Sequence, residues 1–94
     1  MKPAEVTLIV CRTLDVSKSA MVGHDRRKPV VEGRNILAFQ LSRRAGLSLD
    51  AIAGILSHTV RGVTYMIRNA QEHQSVDPAF NEKFQKVEEA LDAK

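Results

Sequence analysis

The sequence predicts an all-α fold, a small helical bundle that contains a helix-turn-helix. Three observations lead there. Apolar residues recur three and four positions apart along the chain, and no stretch alternates as a strand would. Capping residues and helix stops punctuate the chain: Ser17, Ser48, Thr59 and Asp77-Pro78 open segments, and Gly23 and Gly46 close them. Residues Ser48–Ile67 read as a short helix, a turn of about three residues and a longer helix.

The elements follow in order. From Pro3 to about Asp15, Val6, Ile9, Val10 and Leu14 keep helical spacing, with Pro3 suited to a first turn. Ser17 can cap a short helix through Val22. Residues 23–29, Gly23-His-Asp-Arg-Arg-Lys-Pro29, form a polar, basic loop. A longer helix spans Val31 to Ala45. At 100° steps it places Arg34, Leu37, Ala38, Leu41 and Ala45 on one side and Ile36 and Phe39 opposite, which predicts a central helix with neighbours on both sides. Ser48 caps Leu49–Leu56, with Asp50 favourable in the first turn. Ser57-His58 makes the turn, and Thr59–Gln74 is the helix turned outward. On it Val60, Val63, Thr64, Ile67 and Ala70 form the inward stripe, and Arg61, Tyr65, Arg68 and Glu72 fall on another flank. Asp77 caps a last helix, 77–93, with Phe80, Phe84, Val87 and Leu91 inward.

Ninety-four residues hold one core, so 1–94 is read as a single domain. With three Phe, one Tyr and no Trp, that core is mostly aliphatic. Charge is unevenly spread. Between Gly23 and Ala70 eight bases oppose three acids, whereas the flanking segments together hold six bases and eight acids. A basic middle implies a face made for an anion such as nucleic acid, or a solvated face without a partner. The lone Cys11 lies beside Leu8, Ile9 and Val10 and reads as core in a reducing compartment. No run reaches the ~20 apolar residues of a membrane helix, and no signal peptide is evident, so a cytoplasmic location is expected.

Catalysis finds no footing. His24, His58 and His73 have no metal-ligand spacing, the carboxylates Glu88, Glu89 and Asp92 read as a solvated face, and no phosphate-binding glycine loop or nucleophile motif occurs. No catalytic residue, metal, cofactor, membrane or small-molecule substrate is expected.

The binding signal is stronger. Within the helix-turn-helix, 48–74, Ala53 supplies a small residue where the helices cross, and Ile52, Leu56, Val63 and Ile67 hold the pair to the bundle. Arg61, Tyr65 and Arg68, spaced i, i+4 and i+7, share an exposed flank, and arginine suits bidentate reading of guanine in the major groove. Ser57, His58 and Thr59 surround a helix N-terminus able to take a phosphate. The alternative is a solvated flank on which Arg68 pairs with Glu72. Arg26, Arg27 and Lys28 can reach a phosphate backbone or a minor groove, or merely solubilise the loop. Arg43 and Arg44 suit the dipole at the end of the long helix.

The stretch Gly33-Arg-Asn-Ile-Leu-Ala-Phe-Gln-Leu-Ser-Arg-Arg-Ala-Gly-Leu-Ser-Leu-Asp-Ala-Ile-Ala53 resembles the C-terminal DNA-binding domain (domain IV) of the bacterial chromosomal replication initiator DnaA. That family opens a helix with Arg-Gln, here Arg34-Asn35, and leads into its helix-turn-helix with Gly-Leu-Ser-Leu-Pro-Glu-Ile-Gly, here Gly46-Leu-Ser-Leu-Asp-Ala-Ile-Ala53. The likeness extends over nearly the whole chain. It implies a Trp-repressor-like helix-turn-helix, with Arg26 matching a minor-groove arginine of the basic loop and Lys28 matching a second base. The family's Asp-His-Thr signature is replaced by Val60-Arg61-Gly62 in a gap-free count, so its binding box does not carry over. Arg61 as a substitute base reader is an inference from the residues alone.

The expectation is therefore double-stranded DNA binding, sequence-preferring, in replication initiation or transcription control, by a stand-alone, nucleoid-associated relative of bacterial or phage type. Its contacts would be Arg26, Arg27, Lys28, Arg34, Ser48, His58, Thr59, Arg61, Gly62, Tyr65 and Arg68. The alternative is a protein-interaction module that keeps the fold and has lost specific DNA reading, with Val60 and Gly62 lining a surface for a partner helix.

Overall fold

In the computed structural model, which describes residues 1–94, the chain forms six helices: α1 (Pro3–Leu14), α2 (Lys18–Met21), α3 (Lys28–Arg43), α4 (Leu49–Leu56), α5 (Val60–Val76) and α6 (Pro78–Asp92). There is no strand. Local chemistry explains most of their ends. Ser17 Oγ accepts from Ala20 N–H at 3.2 Å, Ser48 Oγ from Ala51 N–H at 3.2 Å and Thr59 Oγ1 from Gly62 N–H at 3.0 Å. Asp77 closes α5 and caps α6, accepting from Ala79 and Phe80 N–H at 3.1 and 3.3 Å. Gly46, at φ 65°, lets Leu47 N–H return to the Leu41 carbonyl at 3.2 Å beyond the end of α3.

Three boundaries differ by two residues or more from the sequence expectation, among them the end of α3, at Arg43 instead of Ala45. Helix α3 starts at Lys28, not Val31, so the basic loop ends at Arg27. Pro29 belongs to the first turn, where its missing N–H costs nothing and its fixed φ suits a helix. Helix α5 continues to Val76, because no residue before Asp77 interrupts its ladder.

Helix α3 is the central element. It packs most extensively on α5, then on α1, and also meets α2 and α4; α6 closes the bundle against α1 and α5. Its residues Gly33 to Ala38 are buried in succession, as a helix with neighbours on both sides requires. The core joins Val6, Ile9 and Val10 to Ile36, Leu37 and Leu41, to Ile52 and Leu56, and to Phe80, Phe84, Val87 and Leu91. On α5 the buried arc is Val63, Met66 and Ala70. Val60, expected in that stripe, is 38% exposed, and Thr64 is only half-buried. The helix is rotated towards Met66 because α3, rather than α4 alone, supplies its main packing surface.

Away from α5, charge pairs tie α3 to α6. Arg44 bonds Glu88 and, at 2.7 Å, Asp92; Arg43 reaches Glu88 at 3.2 Å; Lys83 meets Glu32 at 2.8 Å. No helix is long and apolar enough to cross a membrane.

Candidate nucleic-acid interface

The candidate surface is built from the turn between α4 and α5, the outward face of α5 and the basic loop. Helices α4 and α5 are joined by Ser57–Thr59. Ser57 takes a left-handed conformation, φ 57° and ψ 45°, and His58 N–H returns to the Ala53 carbonyl at 3.0 Å. That closure reverses the chain sharply, and Thr59 then restarts the helix.

His58 was expected to face nucleic acid. Instead its Nε2 donates to the Gly23 carbonyl, and its ring packs on His24 with centroids 4.4 Å apart. Gly23 N–H in turn donates to the Leu56 carbonyl at 3.0 Å. The start of the basic loop is therefore pinned to the turn.

Arg34 also has a different place from the one expected. It is 4% exposed, and its guanidinium donates to the carbonyls of Met21, Ala20 and Asp25 at 2.8, 3.0 and 3.1 Å. Burial pushes the guanidinium pKa down, and the Asp25 carboxylate partly offsets this. With its donors turned into the protein, Arg34 braces the end of α2 and the loop and presents nothing to a partner. Its helical position was legible, but the three carbonyls that claim it lie in distant parts of the chain.

Within the loop, Arg27 grips Asp25 two residues away, with Nη2 at 2.6 Å and Nε at 3.1 Å from the carboxylate. The hydrogen bonds from Arg27 hold the Asp25 carboxyl down at about 2. Arg27 is thus largely neutralised. Arg26 and Lys28 are exposed and have no carboxylate partner.

On α5, Arg61, Tyr65 and Arg68 all face outward, Tyr65 at 62% exposure. Neither arginine has an acidic partner; the anticipated Arg68–Glu72 pair does not form. At 100° per residue Arg61 and Arg68 lie opposite the buried Val63–Met66–Ala70 arc. Tyr65 leans towards the basic loop. Gly62 keeps the first turn bare: a Cβ there would stand 3.3 Å from Thr59 Oγ1 and 3.8 Å from His58. The hydroxyls of Ser48 and Thr59 are exposed and accept from backbone N–H groups, which leaves each O–H free to donate outward.

The four unpaired bases of the Gly23–Ala70 segment gather round one helix. Of the eight between Gly23 and Ala70, Arg27, Arg43 and Arg44 are bound to carboxylates and Arg34 to carbonyls. Arg26, Lys28, Arg61 and Arg68 remain. A cleft between α3 and α5 brings Arg26 and Lys28 alongside Tyr65, Asn69 and His73, with Asn35 on its floor. From the sequence Asn35 entered only as the counterpart of a family glutamine, and Asn69 was not singled out. The available signal was their register, Asn35 seven residues after Lys28 and Asn69 four after Tyr65. No three His, Cys, Asp or Glu side chains are grouped so as to hold a metal ion. The chain matches no model of a known protein family and no curated protein.

Proposed function

We propose that this protein binds double-stranded DNA, with α4, the Ser57–Thr59 turn and α5 acting as a helix-turn-helix. The observation that carries this reading is the sorting of the bases. Within the Gly23–Ala70 segment, Arg43 and Arg44 on the far side are consumed by α6 carboxylates, while Arg26, Lys28, Arg61 and Arg68 stay unpaired around the outward face of α5; the other unpaired bases, Lys2, Arg12, Lys18 and Lys94, lie towards the two ends of the chain. An unpaired cationic face of this kind favours a polyanion. Arg61 and Tyr65 are the base-edge candidates in a major groove, Lys28 is a phosphate contact, and Arg26 is suited to a backbone or a minor groove. Arg34 and His58 hold the loop in place for them. The resemblance to the replication initiator's DNA-binding domain favours a setting in replication or transcription control.

Titration against a random-sequence duplex and duplexes selected from a random pool, at several salt concentrations, tests the reading. Arg61→Ala is expected to cost roughly 1–3 kcal/mol on the selected duplex and little on random sequence. Lys28→Ala should weaken both alike and lower the salt slope by about one. If no duplex binds more tightly than about 10⁻⁴–10⁻⁶ M, the range of nonspecific binding, the protein-interaction module replaces this reading.

A further inference from the structure

The cleft between α3 and α5 contains a polar group without a use inside the protein. Asn35 is 6% exposed and lines the cleft, and its carboxamide has no protein partner and opens to the solvent of the cleft. A carboxamide has two donor hydrogens and an acceptor oxygen, so one open to a cleft can donate to a ligand there. Asn69 and Tyr65 stand on the α5 wall, Arg26 and Lys28 at the loop end. The nearby acids are engaged elsewhere: Glu32 with Lys83 at 2.8 Å, and Asp77 with the first N–H groups of α6. With Glu32 neutralised by Lys83, Arg26 and Lys28 outweigh the single Asp77 carboxylate, so the net charge of the cleft is positive, beside neutral N–H donors. That combination suits a phosphate ester.

We propose that this cleft holds one phosphodiester of a bound duplex, with Asn35 and Asn69 donating to its nonbridging oxygens and Lys28 supplying charge. The inference rests on the DNA reading above. If α5 lies in a major groove and the basic loop reaches the adjoining minor groove, the strand dividing the two must pass between them. The cleft is the passage between α5 and that loop. Amide donors are neutral, so this contact adds affinity without releasing counterions. It carries no sequence information.

The test uses the full chain with a random-sequence 20-base-pair duplex and a selected one. Asn69→Ala and Asn35→Ala should each weaken binding to both by about three- to tenfold, at unchanged salt slope. Since Asn35→Ala sits close to the core, a second measurement uses the wild-type protein: the Asn35 side-chain NH₂ resonances should shift when either duplex is added. Wild-type binding with an unaffected Asn69→Ala variant and unmoved Asn35 resonances would overturn this inference alone. A loss confined to the selected duplex would make the asparagines base readers and also overturn it. Failure of the wild type to bind any duplex would remove the DNA reading itself, and this inference with it.

Discussion

Replacing Arg34 with Met should unfasten the basic loop and cost the fold about 3 kcal/mol. Methionine fills the same buried channel but returns none of the three hydrogen bonds. The Met21 carbonyl, bonded at 2.8 Å in buried surroundings, loses a charge-assisted partner worth about 2 kcal/mol. The Ala20 and Asp25 carbonyls, at 3.0 and 3.1 Å, are part-buried and can recover water, so each contributes about 0.5–1 kcal/mol. Urea unfolding followed by circular dichroism measures the sum. In a domain of this size it corresponds to a fall in Tm of about 12–24 °C. Hydrogen exchange locates the effect: the amides of residues 22–27 should lose protection well before those of α6. Arg34→Lys, which can satisfy one carbonyl, should fall between the two. A loss below about 1 kcal/mol, or unchanged exchange in the loop, would refute the brace and return Arg34 to the list of surface contacts.

Two further outcomes follow from the same geometry. Ser57→Gly should stabilise the protein by about 1 kcal/mol in thermal unfolding, because Ser57 sits at φ 57°, where a Cβ is disfavoured, and duplex affinity should not change. Asp25 titrates at about 2 in the folded protein against an ordinary 3.8, so folding favours its carboxylate. Its contribution is present above about pH 4 and is lost as the pH falls towards 2. Asp25→Asn should therefore show a smaller drop in Tm across that interval, and an equal drop would mean that the Arg27 contact adds nothing.

The proposed DNA-reading role stands on the chain's own geometry. The surface that supports it has two parts of different character. The outward face of α5 is exposed, and Arg61 and Arg68 on it have no acidic partner. The loop is held from beneath by Arg34 and from the side by His58, so Arg26 is displayed on a braced backbone rather than a loose one. A contact whose position is fixed before binding loses less conformational entropy on association.

Features that depend on neighbours within a few residues were legible along the chain. The caps at Ser17, Ser48, Thr59 and Asp77 bind N–H groups two or three positions on, and Phe80, Phe84, Val87 and Leu91 mark their own helical face. Which polar groups are spent internally depends instead on the packing of distant segments. Arg34 looks like any other base until carbonyls 9, 13 and 14 residues away surround it, and His58 finds Gly23 across 35 residues. Arg43 and Arg44 are taken by acids more than forty residues on. The inward arc of α5 was likewise set by packing: Met66 turned in and Val60 out once α3 became its main neighbour. Periodicity shows that a helix has an apolar side, but the partner helix sets its angle, because burial depends on the area the two surfaces remove from water together.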